Sequence, residues 1–302
     1  MQNTSHLLMI EPVNFGYNTE TAVNNAFQKN LEGDIQQKAM EEFNAFVDLL
    51  KKNKIDVTVI KDTVEPFTPD SIFPNNWISF HEDGTVFLYP MFAPNRRLER
   101  KEHVLELIRE KFIINKVTDL SYYETENGFL EGTGSMVFDR INRIAYACIS
   151  PRTDKPLFDQ FCTDIGFLPV SFSAKDASGV DIYHTNVLMC VADKYAVICT
   201  EAIQNDAERE YVLAFLQKTN KEIITISFDQ LDHFAGNMLQ VMNENNEPLL
   251  IMSTQARNSL TAAQVSSLEK YNAILHSSLD TIETAGGGSA RCMMAEVFLE
   301  MI

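Results

Sequence analysis

Four pairs of short apolar runs recur along the chain, each pair joined by a polar turn. They are Asn76–Phe80 with Thr85–Met91 around Asp83-Gly84, Ser135–Phe138 with Ile144–Ile149 around Asp139–Arg143, Val187–Val191 with Ala196–Thr200 around Asp193-Lys194, and Met238–Met242 with Pro248–Met252 around Asn243–Glu247. Runs of this length on either side of turn-forming residues predict β-hairpins. A helix-period segment follows each hairpin, at Leu98–Phe112, Pro156–Ile165, Asp206–Lys218 and Thr261–Leu275, and further strands are predicted at Pro169–Phe172 and Glu222–Phe228. In the first helix Leu98, Val104, Leu105 and Ile108 fall near one face, leaving Glu99, Arg100, Glu102 and Arg109 to water.

The positions at the hairpin starts, Asn76, Gly134, Asn186 and Asn237, are separated by 58, 52 and 51 residues, and one further step of 55 reaches Cys292. Cys292 opens the run Met293–Leu299, which has the character of a first hairpin strand without a second strand after it. The beginning of the chain supplies the partner: a strand at Leu7–Val13, then a helix at Ile35–Lys52 and a strand at Asp56–Ile60. The expected fold is α/β, with five strand–strand–helix–strand units closing into a ring as one domain over residues 1–302 and the two termini paired. Radial repetition leaves few strand edges unpaired. It also gathers the five aligned positions at one end of the axis.

The segments around those positions carry the chemistry. Asp70-Ser71-Ile72-Phe73-Pro74-Asn75-Asn76-Trp77 holds an acid and two amides, Leu130–Ser135 holds Glu131, Tyr183–Asn186 holds His184, and Gly286–Cys292 ends on a thiol. A carbon bonded to several nitrogens, as in a guanidino or ureido group, is a poor electrophile, and a thiolate that forms a covalent adduct divides its hydrolysis into two easier steps. An imidazole can protonate the departing nitrogen and then take a proton from water. The glycines Gly286-Gly287-Gly288 would let backbone approach a substrate closely and free amide donors. His233 is the one rival base, and His184 with Asp181 lacks the second histidine spacing of a metal site, so neither metal nor cofactor is expected.

Composition narrows the partners. A formal net charge of -17 disfavours phosphate backbones and anionic lipid, so neither nucleic acid nor membrane is expected. The first residues lack the basic and long apolar regions of a signal peptide, and the five cysteines are odd in number without zinc-type pairing, which suits a reducing cytoplasm. A small-molecule substrate is the expected partner, with a homo-oligomer left open.

The stretches DSIFPNNW, LEGTGS, HTN and GGGSARCM resemble the guanidine-modifying superfamily of arginine deiminases, dimethylarginine hydrolases and amidinotransferases, and within it the arginine deiminase-related or citrulline-utilisation hydrolases. The resemblance spans nearly the whole chain. It implies the five-bladed α/β-propeller called a pentein, with Cys292 as nucleophile, His184 as general acid/base and Glu131 supporting the histidine. Asn75, Asn76 and Asn186 stand where guanidinium readers of the superfamily usually carry carboxylates, and a neutral amide suits a ureido oxygen better than a cation. The expected substrate is therefore citrulline or a related ureido compound, with an arginine derivative as the alternative and Asp70 remaining to accept one N–H. Arg291 would either bind a substrate carboxylate or pair with Glu296. Amidino transfer, arginine deimination or dihydrolysis, and a non-catalytic pentein that only binds a partner are the competing functions.

Overall fold

A computed structural model describes residues 1–302, and it contains five three-stranded sheets. The strands are β1 (His6–Glu11), β2 (Asp56–Lys61), β3 (Ile78–Phe80), β4 (Thr85–Leu88), β5 (Lys116–Asp119), β6 (Val137–Asp139), β7 (Ile144–Cys148), β8 (Leu168–Phe172), β9 (Met189–Val191), β10 (Tyr195–Ile198), β11 (Glu222–Thr225), β12 (Leu239–Met242), β13 (Pro248–Ser253), β14 (Ala273–Ser277) and β15 (Ala295–Glu296). In every sheet the middle strand pairs antiparallel with one neighbour and parallel with the other, as β4 does with β3 through Ile78↔Leu88 and with β5 through Thr85↔Lys116. The last strand of the chain lies beside the first, in the register Leu7↔Glu296 and Leu8↔Ala295. This is the five-unit ring expected from the repeat, with its first and last strands paired, the arrangement that the pentein resemblance implies.

Four of the five aligned residues lie in tight turns just ahead of their strands. Asn76 ends a short 3-10 turn at Pro74–Asn76, Gly134 lies in the helical turn Gly132–Ser135, and Asn186 lies in Thr185–Leu188. Cys292 belongs to a similar coil, its N–H donating to Ser289 O at 2.9 Å while Met294 N–H donates to Arg291 O at 3.3 Å. Turns at these positions hold their residues outside the strict two-face alternation that a strand would impose.

The helices follow the apolar stripes. Helix Ile35–Lys52 is capped by Asp34, which accepts from Gln37 N, and buries Ala39, Phe43, Phe46, Val47 and Leu50. These residues share a core with Leu7, Met9 and Val57 of the adjoining strands. Full burial of each large side chain contributes about 1.5–3 kcal/mol.

Three predicted elements end differently. The helix expected over Leu98–Phe112 is confined to Glu102–Arg109, because Lys101 is extended (φ -87°, ψ 131°) and a separate turn occupies Pro94–Arg97. Leu98 is consequently 48% exposed, and Glu99 is buried against Arg96. The helix expected to reach Leu275 stops at Glu269, where Asn272 Nδ2 donates to Leu268 O, and Ala273–Ser277 becomes β14. Strand β11 ends at Thr225, and a capping box between Ser227 and Gln230 starts a helix at Phe228. No helix is long and apolar enough to cross a membrane.

Candidate active site

The ring brings the aligned positions into contact. Asn186 Nδ2 lies 3.4 Å and Asn237 Nδ2 3.3 Å from Cys292 Sγ. A Cβ added to Gly134 would come 2.4 Å from Asn76 Nδ2 and 2.8 Å from His184 Nδ1. Glycine stands at this position because the neighbouring amide and imidazole take the volume a side chain would need.

His184 and Glu131 are both buried, and His184 Nε2 is 2.8 Å from Glu131 Oε2. The second carboxylate oxygen accepts Phe92 N–H at 2.9 Å, and the Arg152 guanidinium lies 3.6 Å from Oε2. Burial pushes the Glu131 carboxyl up, but Arg152 and the bond from His184 outweigh it and hold the group at about 2. For His184, burial is the largest influence, and it outweighs the Glu131 bond and charge to bring the imidazole down to about 4. At neutral pH this is a carboxylate accepting Nε2–H from a neutral imidazole, which leaves the lone pair on Nδ1.

Asp70 is the other buried acid. Its Oδ2 accepts from Asn18 Nδ2 at 2.8 Å and from Thr21 Oγ1 at 3.1 Å, with Arg96 Nε 3.9 Å away. Its Oδ1 is buried with no partner. Burial raises the Asp70 carboxyl above its usual range, with Arg96 opposing. Arg96 itself is fixed by Glu99 through Nε at 2.8 Å and a second N–H at 2.9 Å, and its remaining arm donates to Asn76 Oδ1 at 2.7 Å. Asp70, Arg96, Arg152, His184 and Cys292 line one small cavity, whose wall includes Gly286-Gly287-Gly288.

Several expectations need correction. Asn75 does not line that cavity, and its Oδ1 accepts Asn76 Nδ2 at 3.0 Å. Asn76 does line it, with its Oδ1 taken by Arg96 and one of its two amide N–H groups by Asn75 Oδ1, so a substrate would meet at most its remaining N–H. Asn186 turns its amide N–H to the sulfur. Arg291 faces a separate cavity with Gln2, Arg140 and Gln240, donating to Glu296 Oε2 at 2.9 Å and to Met294 O at 2.7 Å. Of the two alternatives for Arg291, the ion pair is the one realised. His233 is half exposed and bonded to Asp229 O of its own helix, outside the cavity. The space kept clear by the glycines is occupied by the chain itself: a Cβ on Gly286 would come 2.8 Å from the Phe73 ring, and one on Gly287, at φ +64°, 2.5 Å from Asn25 Nδ2.

Arg96, Arg152, Asn18 and Thr21 belong to the site without any motif that marks them in the sequence. Arg152 is buried and donates to Thr21 O at 2.8 Å and to Asn24 Oδ1. For Asn18 and Thr21 the sequence signal is the long aperiodic stretch between β1 and the helix at Ile35, since loops of such length within a compact fold are usually functional; Arg96 and Arg152 lie outside it. No group of three or more His, Cys, Asp or Glu side chains is arranged to hold a metal ion.

A five-bladed α/β-propeller with a thiol, an imidazole–carboxylate pair and a buried acid at its axis defines the pentein class of the amidinotransferase superfamily. A family model described as N,N dimethylarginine dimethylhydrolase, eukaryotic, matches residues 11–299, and the chain belongs to this family of hydrolases. No curated protein sequence matches the chain. Among solved structures, ArgZ, an arginine dihydrolase from the ornithine–ammonia cycle in cyanobacteria, aligns with a TM-score of 0.78 at 18% identity over 98% of this chain. The chain spans about two fifths of that protein, 41% of its length. The N-terminal domain of ArgZ, covalently bound to a reaction intermediate, aligns over 97% of both chains at 19% identity with a TM-score of 0.77. A dimethylarginine dimethylaminohydrolase, as its adduct with S-methyl-L-thiocitrulline, aligns over 97% of this chain and 99% of its own at 14% identity, with a TM-score of 0.67. At these identities the likeness is one of fold.

Proposed function

We propose that the chain hydrolyses a C–N bond of a guanidinium group, carried by arginine or an N-substituted arginine, through a covalent adduct on Cys292. The observation that carries this reading is the unpartnered, buried Oδ1 of Asp70 in the same cavity as Cys292 and His184. Arg96 and Arg152 are taken up by Glu99 and Glu131, so Asp70 Oδ1 is the acceptor left open to a substrate N–H. A guanidinium gives Oδ1 a charge-assisted donor and favours the ionised carboxylate that burial opposes, whereas a neutral ureido group supplies only the donor.

In the first step neutral His184 takes the thiol proton as Sγ attacks the guanidinium carbon. The resulting imidazolium, stabilised by Glu131, gives that proton to the departing ammonia or amine as its C–N bond breaks. In the second step His184 takes a proton from water, the oxygen adds to the adduct carbon, and the S–C bond breaks to release a ureido product and the thiolate; His184 returns its proton to the sulfur, and the remaining hydroxyl proton passes to solvent. Glu131 holds the imidazole in the tautomer that both steps use.

Product analysis after incubation with arginine, N-methylated arginines and citrulline tests the reading. Release of ammonia or methylamine from a guanidinium substrate, lost in Cys292→Ser, is the expected result. Turnover of citrulline with none of the guanidinium compounds would overturn the substrate class, and retained turnover in Cys292→Ser would overturn the mechanism.

A further inference from the structure

We infer that Asn186 and Asn237 act directly on the reacting sulfur, as a pair of amide donors that hold the Cys292 thiolate when it forms and again when it is expelled. This assignment rests on Cys292 being the nucleophile. The two amides come from the aligned positions of adjacent units and are buried, and their Nδ2 atoms lie 3.4 Å and 3.3 Å from Sγ.

The direction of the Asn237 amide is fixed from both ends. Its Oδ1 accepts Arg291 N–H at 3.0 Å, and its Nδ2 also donates to Asn186 O at 2.9 Å. Turning the amide over would set its NH2 against the Arg291 N–H and its oxygen against the Asn186 carbonyl. The donor towards sulfur is therefore dictated by the surrounding backbone. Asn186 keeps its Oδ1 buried without a partner while its N–H meets the sulfur.

A thiol is a weak acceptor and a thiolate a strong one, so two donors aimed at the sulfur favour the anion over the neutral form. The same preference operates at both ends of the covalent cycle. In the first step the electron pair left on sulfur by deprotonation attacks carbon. In the second, water adds to the adduct, the S–C bond breaks and its electron pair returns to a sulfur already facing two N–H groups. Donors placed in advance need no reorganisation as the charge appears. Asn186 thereby takes a different role from the substrate contact expected from its place in the HTN stretch.

The test is alkylation of Cys292 by chloroacetamide in the substrate-free protein at one fixed neutral pH, followed by mass mapping of the modified peptide. Burial pushes the other thiols up, Cys148, Cys162 and Cys190 to about 12 and Cys199 to about 11, which keeps them poor competitors. Asn186→Ala and Asn237→Ala are each expected to slow alkylation about tenfold, the scale of one charge-assisted hydrogen bond. Asn237→Asp keeps the size and the acceptor for Arg291 N–H but replaces the donor with charge, so it is expected to be slower than Asn237→Ala. A purely structural role predicts the reverse order, with the isosteric variant milder, and that outcome would overturn the assignment. If a position 237 variant does not fold, as judged by circular dichroism, Asn186→Ala against Asn186→Asp gives the same comparison. Wild-type rates in the folded variants would remove the donor role alone, whereas a wild-type protein whose Cys292 resists alkylation would remove the nucleophile on which it rests.

Discussion

His184 Nε2 and Glu131 Oε2 are 2.8 Å apart and wholly enclosed, yet burial leaves the imidazole neutral down to about pH 4. In the proposed mechanism the pair would start as base and carboxylate, and a neutral resting histidine could accept the thiol proton without first losing one.

The same burial makes the fold sensitive to acid. The histidine titrates near 6.5 when unfolded and about 4 when folded, so between these values the unfolded chain binds the extra proton and stability falls as pH falls. Glu131, held at about 2 against an ordinary 4.5, extends the loss to lower pH with the same sign. Between pH 7 and pH 5 the histidine contribution is about 1–2 kcal/mol. His184→Gln is expected to show a smaller change in urea midpoint over that interval than wild type, and an unchanged pH dependence would refute the linkage.

Gly134→Ala is expected to cost about 1–3 kcal/mol of stability through overpacking and to lower turnover further by displacing the imidazole. The added methyl would stand 2.8 Å from His184 Nδ1 and 2.4 Å from the Asn76 amide, whereas a methyl added at Gly16 would have nothing within 4 Å. Gly16→Ala is thus the matched control, expected to leave both melting temperature and rate near wild type.

Asp70→Asn and Asn76→Asp separate the two substrate classes. Asp70→Asn removes the charge facing the cavity, and loss of a charge-assisted bond to a guanidinium is expected to lower kcat/KM for arginine-type substrates about ten-fold or more, with the larger part in KM. Asn76→Asp keeps the Arg96 contact and sets a carboxylate against Asn75 Oδ1, so any loss it causes should be similar for arginine and citrulline. Opposite effects of Asn76→Asp on the two substrates would show that its amide reads the substrate after all.

Dialysis against a chelator is expected to leave the rate unchanged, because the proposed mechanism draws its nucleophile from Cys292 and no cluster of three ligating side chains is present. A loss restored by zinc or manganese would contradict this.

The architecture was legible because it repeats: the hairpins, the spacing near 50 residues and the unpaired strand after Cys292 together specify a closed ring. Cys292 stood out because it falls in phase with the repeat, whereas His184 and Glu131 lie two and three residues before aligned positions and were singled out by their motifs. What periodicity does not encode is ionic burial. Glu99 sits in a helical pattern where a charge ordinarily faces water, and only the folded chain brings Arg96 against it at 2.8 Å. The partners of the amides were not legible for a related reason, since a contact such as that of Arg96 with Asn76 joins residues outside any local window.

Strand β15 is two residues long, yet it seals the ring against β1, and Cys292 lies on the same short stretch of chain. Closure pairs residues nearly the whole sequence apart, the kind of contact that forms late in folding because its loop entropy must be overcome first. A nascent chain emerging from the ribosome can build four units before Cys292 is made. Cys292 and the sealing strand are made together, so a chain interrupted upstream of Cys292 is open-edged and lacks the proposed nucleophile as well.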